Sequence, residues 1–135
     1  MKTWKTPEGI AANVYLDMLK QTHLLIAGST GSGKSVVINN LIYTLLYKPP
    51  PAAALVLIDP KRVELFEYAK IPHCIRYASE PEEIATTVTE LAIFMDNRYK
   101  RMQASRQKRT TEKDIYIIID ELFQEDIYIK QELHF

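Results

Sequence analysis

The chain has 135 residues, and its 17 Lys and Arg residues balance its 17 Asp and Glu residues, so the net charge at pH 7 is zero. A chain of this length can bury a core of its own as a single domain. No apolar run approaches the roughly 18 residues of a membrane span, and the first residues lack the apolar core of a signal peptide. Cys74 is the only cysteine, which excludes disulfide frameworks and cysteine-based zinc sites. These features predict a cytoplasmic globular protein.

Charge is unevenly distributed along the chain. Between Arg98 and Lys113, seven basic residues stand against one acidic residue, Glu112. The stretch that follows, residues 114–135, carries six acidic residues and one basic residue. Such asymmetry favours an anionic partner such as nucleic acid, although most charge runs are solvated surfaces. The segment Arg98 to Lys113 is therefore a candidate for nucleic-acid contact, with a solvated helix end as the alternative.

The first third of the chain leads into a glycine-rich motif. A turn signal, Thr6-Pro7-Glu8-Gly9, comes first, and residues 14–19 fit either a strand or one helical turn. The apolar run from His23 to Ala27 predicts a buried strand. It runs into Gly28-Ser29-Thr30-Gly31-Ser32-Gly33-Lys34-Ser35, which fits the phosphate-binding pattern G-x-x-x-x-G-K-[ST].

This loop predicts a nucleotide site because each residue type has a physical task. Glycines let backbone N–H groups turn inward around a phosphate, and the following helix directs its positive end at the same anion. Lys34 would bridge the β- and γ-phosphates, and Ser35 would offer its hydroxyl to Mg²⁺. The predicted nucleotide contacts are Gly28, Ser29, Thr30, Gly31, Ser32, Gly33, Lys34, Ser35 and Val36.

The segment after the loop alternates predicted helices and strands. A helix is predicted over Val36 to Tyr47, and Pro49-Pro50-Pro51 ends it because proline lacks the N–H group. One face of that helix would carry Val37, Leu41 and Leu45. The unbroken apolar run from Ala54 to Ile58 predicts a strand buried on both faces, as in a parallel sheet covered by helices. Val63 to Ala69 is predicted as a short helix and Cys74 to Ala78 as a third strand.

The second half of the chain contains a long helix and a final strand. Ser79 is predicted to cap the helix, with Glu82 completing a capping box. The helix is predicted from Glu80 to Met102 because apolar residues keep helical spacing. These residues are Ile84, Val88, Leu91, Met95, Tyr99 and Met102. Ile115 to Ile119 is the strongest strand signal and ends at Asp120-Glu121. Strands that alternate with helices predict an α/β fold with a mostly parallel sheet flanked by helices.

Two apolar strands end in aspartate, and a magnesium site needs one of them. Asp120 is favoured over Asp59 because Glu121 follows it directly. One carboxylate can orient Mg²⁺ while the adjacent one activates a water for attack on the γ-phosphate. Asp59 precedes Pro60 and two cations, which suits a turn or a salt bridge. The predicted site residues are Lys34 and Glu121 for catalysis, and Ser35 and Asp120 for the metal.

Several stretches together resemble the FtsK/SpoIIIE family of DNA-translocating motors. The resemblance begins with His23 to Ser35 and continues with Leu57-Ile58-Asp59-Pro60-Lys61-Arg62-Val63-Glu64-Leu65, its most specific part. Three later stretches follow in the expected order. They are Ile71-Pro72-His73, Met95-Asp96-Asn97-Arg98-Tyr99-Lys100 and Ile118-Ile119-Asp120-Glu121-Leu122. The similarity covers most of residues 9–122.

This resemblance implies a RecA-like P-loop ATPase that assembles as a homo-hexameric ring around double-stranded DNA and moves along it by hydrolysing ATP. Carried over by position, Lys34 and Ser35 would serve the phosphates and Mg²⁺. Asp120 would belong to the Mg²⁺ shell, and Glu121 would act on the attacking water. Chromosome segregation, conjugation and the handling of phage or plasmid DNA are all compatible settings.

Lys61 and Arg62 have no single role in this comparison. They would face a neighbouring subunit or DNA, or pair with Glu64 or Glu67 on the surface.

The family pattern continues beyond Leu122 with further strands, a polar sensor residue and arginine-bearing elements, for which residues 123–135 show no counterpart. We therefore expect one partial domain: a lead-in over 1–22, a nucleotide-binding core over 23–122 and a divergent tail over 123–135. We also expect an unpaired sheet edge near the last strand. An external arginine adds on the order of 10³ to 10⁵ in rate, so we expect nucleotide binding with slow or absent hydrolysis.

Two other functions compete with an ATP-driven DNA translocase domain. One is a nucleotide-binding or interaction protein that does not hydrolyse ATP. The other is a small kinase that uses Asp59, although an Arg-rich lid for it is not evident in the sequence. DNA contacts of a translocase would be mostly to phosphate, with a steep dependence on salt and little sequence preference.

Overall fold

The computed structural model describes residues 3–5, 11–13, 17, 22–29 and 31–121. The chain forms two compact units, Met1–Val36 and Val37–Phe135. In the first unit, strand β1 (Thr3–Lys5) pairs antiparallel with strand β2 (Ala11–Asn13). We did not predict this small sheet, and the turn signal between its strands lies outside the described residues, as does most of the segment 14–19.

The strand predicted at His23 to Ala27 is wrong. Residues 23–29 have no regular secondary structure, and the Leu25 side chain is 86% exposed. A buried strand needs hydrogen-bonding neighbours along its edges. No strand in the described part of the chain pairs with this segment. An apolar run therefore did not suffice to form a strand here.

Helix α1 spans Lys34–Leu45 and begins directly after the glycine-rich loop. It starts and ends two residues earlier than predicted. Its buried residues are Ile38 and Ile42, whereas the predicted face, with Val37, Leu41 and Leu45, is only half-buried. Both sets have the same spacing along the helix, so a step of one residue, about 100° around the axis, separates the prediction from the observed core face.

The second unit is built on a three-stranded parallel sheet. Its order is β4 (Cys74–Ala78), β3 (Ala53–Ile58) and β5 (Asp114–Ile119), so the strand that comes first in sequence is central. All six residues of β3 are buried, because strands flank both of its edges and its two faces are covered. The predicted α/β fold with a parallel sheet is confirmed.

Strand β5 borders the sheet on one side. It pairs with β3 in register from Ala53↔Asp114 to Ile58↔Ile119. Within the described ranges no strand pairs with its other edge, and Ile117 on this strand is 43% exposed. Among the described strands, β5 is thus an edge strand of this sheet.

Helix α2 spans Pro81–Ala104 and covers one face of the sheet. Its N-cap is Glu80, one residue later than the predicted Ser79, and the capping partner is Glu83. Glu83 Oε2 accepts hydrogen bonds from the N–H groups of Glu80 and Ser79, each at 3.2 Å. Because Pro81 takes the first helical position, where its missing N–H costs nothing, the cap falls on the residue before it.

The core of the second unit lies between α2 and the sheet. Ile84 and Val88 of the helix pack with Ile58 and Ala78 of the strands, and Ile119 packs against this cluster. These residues come from four separate elements, so the cluster joins the long helix to all three strands. It lies close to the ends of β3 and β5, where the chain leaves the sheet.

The segment after β3 differs from the predicted short helix at Val63 to Ala69. The observed helical turn is a 3₁₀ helix at Phe66–Lys70. Residues before it are folded around a buried carboxylate, that of Asp59. The competing hydrogen bonds of that carboxylate account for the later start of the helical turn.

Candidate functional site

The glycine-rich loop has the backbone conformation that its glycines permit. Gly31 has φ 82° and Gly33 has φ 90°, in the left-handed region that residues with a Cβ rarely adopt. The N–H of Ser32 donates to the carbonyl oxygen of Ser29 at 3.0 Å and closes a turn. Helix α1 then begins at Lys34. The loop therefore leads directly into a helix N-terminus, where main-chain N–H groups and the positive end of the helix dipole favour an anion.

Gly28 has a different reason to be glycine. A Cβ at this position would lie 2.2 Å from the Oγ atom and 3.2 Å from the Cβ atom of Ser32. A residue with a side chain at position 28 would therefore require Ser32 to change its rotamer and shift by a few tenths of an ångström. Lys34 and Ser35 are half-buried in the first turn of α1. The described part of the loop fits a phosphate group in conformation and in chemistry; Thr30 lies outside the described residues.

A pair of buried aspartates marks the carboxyl end of the sheet in the second unit. Because Ile58 is in register with Ile119, strands β3 and β5 end side by side. Asp59 and Asp120, the residues that follow, are 0% and 3% exposed. The main-chain N–H of Asp120 still donates to the carbonyl oxygen of Ile58 at 2.9 Å. The two carboxylates thus lie next to each other at the carboxyl end of the sheet.

The carboxylate of Asp59 holds the turn that follows it. Its Oδ2 atom accepts hydrogen bonds from the N–H of Leu65 at 3.0 Å and from the Tyr77 hydroxyl at 3.4 Å. Its Oδ1 atom accepts one from the N–H of Val63 at 3.4 Å. Burial, and after it the Asp59 charge, raises the pKa of Tyr77, so this hydroxyl remains a donor at neutral pH. These contacts give Asp59 the turn role that the sequence favours, and they weigh against a kinase site built on it.

Asp120 has a different environment. Its Oδ1 atom is buried and accepts no hydrogen bond from the residues that the structure describes. A buried carboxylate at the carboxyl end of a parallel strand supplies oxygen atoms, the ligands that a hard cation such as Mg²⁺ prefers. Glu121, the next residue, is exposed and has φ 51°, a left-handed conformation that costs free energy in a residue other than glycine. The donor set at this edge fits the metal role predicted for Asp120.

The two cations after Asp59 form ion pairs with carboxylates that were not predicted as their partners. Lys61 forms an ion pair with Glu121, and Arg62 forms one with Glu80. Neither Glu64 nor Glu67, the surface partners that the sequence offered as one alternative, is the partner in these two ion pairs. The parallel register brings the end of β5 beside the turn after β3, so Glu121 lies within reach of Lys61. Predicting these ion pairs would have required the order of the strands in the sheet.

Two of the seven cations in the basic segment, Arg98 and Arg101, form a structural clamp on Glu112. Arg101 Nε lies 2.8 Å and Arg98 Nε 3.1 Å from the carboxylate of Glu112. Arg98 also donates to the carbonyl oxygen of Lys113 at 2.9 Å. The Arg101 side chain, followed by that of Arg98, lowers the pKa of Glu112 to about 2. Lys100 pairs with Asp96 on its own helix at 2.6 Å.

The remaining four cations of the basic segment lie in the loop between α2 and β5. These residues are exposed, and their side chains form no ion pair within the part of the chain that the structure describes. They are Arg106, Lys108, Arg109 and Lys113. We refer to them as the basic loop. The structure thus divides the predicted nucleic-acid segment into paired cations on the helix and exposed cations in the loop.

A parallel α/β sheet with carboxylates at its strand ends, and a glycine-rich loop that opens a helix, define the class of P-loop α/β proteins. A family model described as the FtsK/SpoIIIE family matches residues 4–131. The chain belongs to this family, as the sequence resemblance indicated.

Named relatives support the assignment. The chain is 41% identical to a DNA translocase FtsK from Caldanaerobacter subterraneus subsp. tengcongensis, with 84% of the chain and 18% of that protein covered. It is 44% identical to a DNA translocase FtsK from Helicobacter pylori, with 73% of the chain and 12% of that protein covered. A third, from Mycobacterium tuberculosis, is 45% identical, with 67% of the chain and 11% of that protein covered. The chain thus spans less than a fifth of the length of these relatives.

Among the residues that are described, no helix has the length and apolarity to cross a membrane.

Proposed function

We propose that this chain is an ATP- and Mg²⁺-binding part of a double-stranded DNA translocase that works in the cytoplasm. The observation that carries the proposal is the conformation of the glycine-rich loop, with Gly31 and Gly33 in the left-handed region and α1 starting at Lys34. Family membership and the names of the relatives give the direction of the proposal. Assembly into a homo-hexameric ring around DNA is part of it.

The residues divide the chemistry among them. Loop N–H groups and Lys34 would hold the phosphates, and Ser35 and Asp120 would supply oxygen ligands for Mg²⁺. Bound Mg²⁺ neutralises charge on the phosphate oxygens. Glu121 would accept a proton from water as the water oxygen bonds to the γ-phosphorus. The bond between that phosphorus and the bridging oxygen then breaks, and ADP leaves with the electron pair.

DNA contact is proposed for the basic loop rather than for the whole segment Arg98 to Lys113. Arg98 and Arg101 already have a carboxylate partner, so moving them to a phosphate would break the clamp on Glu112. Cations of the basic loop face no such cost. Contacts from this loop would be to the DNA backbone and would carry little sequence information.

A nucleotide-binding protein that does not hydrolyse ATP is the second candidate. The ion pair between Lys61 and Glu121 favours it, because it occupies the carboxylate that hydrolysis requires. Hydrolysis measurements separate the two candidates, whereas both require the loop.

Equilibrium binding of a fluorescent ATP analogue tests the nucleotide site. We expect the full chain to bind the analogue with Mg²⁺. Lys34→Ala should weaken binding at least tenfold, because the variant has no ammonium group to hold the phosphates. Lys70→Ala, which removes an exposed lysine of the 3₁₀ helix, is the matched control. Equal binding by the wild type and Lys34→Ala would contradict the proposal.

A further inference from the structure

We propose that Lys61 restrains Glu121, so that ATP hydrolysis is slow until their ion pair opens. This inference rests on the proposed function, since it concerns the same carboxylate. It assigns Lys61 a regulatory role that is separate from binding of nucleotide or metal. The observation behind it is the ion pair between the Lys61 ammonium and the Glu121 carboxylate.

The position of Lys61 is set by a buried anchor. Asp59 is fully buried and accepts hydrogen bonds from the N–H groups of Leu65 and Val63. The N–H of Arg62 also donates to the Asp59 carbonyl oxygen at 3.1 Å. Lys61 therefore lies in a turn whose backbone is fixed by hydrogen bonds to both the carboxylate and the carbonyl oxygen of Asp59. These bonds fix the position of its Cα atom at the carboxyl end of the sheet.

The position of Glu121 is set by the neighbouring strand. Ile119 is in register with Ile58, and the N–H of Asp120 extends the ladder to the Ile58 carbonyl oxygen. Glu121 then leaves the sheet in the left-handed conformation, with φ 51°. Two independently fixed backbones thus bring an ammonium and a carboxylate together. The pair is a consequence of the parallel register and not of chance contact between two long side chains.

The chemistry of the pair explains the restraint. A general base works when its carboxylate is within hydrogen-bond reach of the water that it deprotonates. A carboxylate that is held by an ammonium is oriented toward that ammonium, and its negative charge is partly neutralised. Glu121 must therefore leave Lys61 before it can act on water.

The exposure of the pair shows that it can open. The side chains of Lys61 and Glu121 are 46% and 37% exposed. Ion pairs with this much solvent contact are weak and exchange readily for water or another ion. The pair therefore acts as a brake that can be released, whereas a fully buried pair would be a fixed structural element.

Arg62 supplies a matched control. It is the next residue in the same turn, and it pairs with Glu80, a carboxylate outside the proposed chemistry. Its side chain is 57% exposed, so it resembles Lys61 in charge, in burial and in being paired. A variant at Arg62 removes a cation from the same turn, at a residue with φ 57°, but it leaves Glu121 paired with Lys61.

The test is steady-state ATP hydrolysis by the full chain without DNA, as kcat and KM. We expect Lys61→Ala to raise kcat several-fold with KM for ATP unchanged, because the carboxylate is released and the phosphate site is untouched. Lys61→Arg, which keeps the charge, should stay near the wild-type rate. Arg62→Ala should also stay near it. The double variant Lys61→Ala/Glu121→Gln should not show this increase in kcat.

Several results would overturn the inference. One is a kcat for Lys61→Ala at or below the wild-type value, and another is an equal rise in Arg62→Ala, which would assign the effect to the turn. Absence of hydrolysis in every variant would overturn it as well, because a released Glu121 should act. Failure of the proposed function has a separate signature: binding of the fluorescent ATP analogue that is unaffected by Lys34→Ala.

Discussion

Asp59 and Asp120 occupy equivalent positions at the ends of neighbouring parallel strands, and both are buried. Their hydrogen bonds differ. Asp59 binds main-chain N–H groups of the turn that follows, while the Oδ1 atom of Asp120 accepts none from the described residues. A carboxylate that holds its own backbone contributes to stability, whereas the carboxylate oxygens of Asp120 are proposed as ligands of Mg²⁺, which prefers oxygen.

Substitution of each aspartate should therefore have a different effect. Asp59→Ala would leave the buried N–H of Leu65 without its acceptor, and we expect the free energy of unfolding to fall by about 1–3 kcal/mol. Asp120→Asn should change stability less and should weaken the Mg²⁺-dependent part of ATP binding. Urea unfolding and nucleotide titrations with and without Mg²⁺ measure the two effects. The reverse assignment of the effects would show that Asp59 is the metal ligand.

At the scale of single residues, the proposed roles of the two aspartates and the ion pairs of the two cations depend on different kinds of information. The choice of Asp120 over Asp59 depended on the adjacent Glu121 and on the turn-forming residues after Asp59, both local signals. The partners of Lys61 and Arg62 depended on which strands are neighbours and in which register. Local sequence contains no such information, so these two ion pairs could be identified only from the fold.

At the scale of secondary structure elements, Glu112 connects helix α2 to the segment that enters β5. It accepts hydrogen bonds from Arg98 and Arg101 of the helix. Arg101 first, and then Arg98, lowers the pKa of Glu112 from 4.5 to about 2. A lowered pKa means that the folded state favours the ionised carboxylate.

The pH dependence of the clamp follows from this shift. Its stabilising effect is complete above about pH 4.5 and is lost as the pH falls toward 2. We expect Glu112→Gln to lower Tm at pH 7, and the difference from the wild type to shrink at pH 3. Thermal unfolding followed by circular dichroism measures it, with Glu67→Gln, at an exposed position of the 3₁₀ helix, as the control. A Tm difference independent of pH would contradict the role of the carboxylate charge.

Elements with strong, self-contained signals were predicted well. Strand β3 is an unbroken apolar run and is fully buried, and α2 keeps helical spacing over its whole length. The segment His23 to Ala27 has a similar apolar run but is not a strand. The two segments differ in their hydrogen-bonding neighbours, because β3 has a paired strand along each of its edges. The small antiparallel sheet of β1 and β2 was missed because three-residue strands have too little periodicity to detect.

At the scale of the whole second unit, the exposed cations and the carboxylates lie at opposite ends of β5. The basic loop precedes β5, whereas Asp120 and Glu121 follow it. A strand of six residues is about 20 Å long at roughly 3.3 Å per residue. In the proposed function, DNA at the basic loop would therefore be held away from Asp120 and Glu121, at the other end of β5.

Salt dependence tests the proposed DNA surface. We expect Lys108→Ala/Arg109→Ala to weaken binding to double-stranded DNA of any sequence. The slope of log K against log salt concentration should decrease in magnitude by about 0.9 for each phosphate that the variant no longer neutralises. Lys100→Ala, on α2 and paired with Asp96, should leave the slope unchanged. Fluorescence anisotropy with two unrelated duplexes gives both values, and an unchanged slope in the double variant would place DNA elsewhere.

The most direct test of the central claim, a DNA-dependent ATP motor, is the rate of ATP hydrolysis by the full chain with and without double-stranded DNA. We expect slow turnover alone, because Lys61 holds Glu121, and faster turnover with DNA. Lys34→Ala and Glu121→Gln should abolish both rates. Turnover that DNA does not increase, or that survives in Lys34→Ala, would contradict the claim.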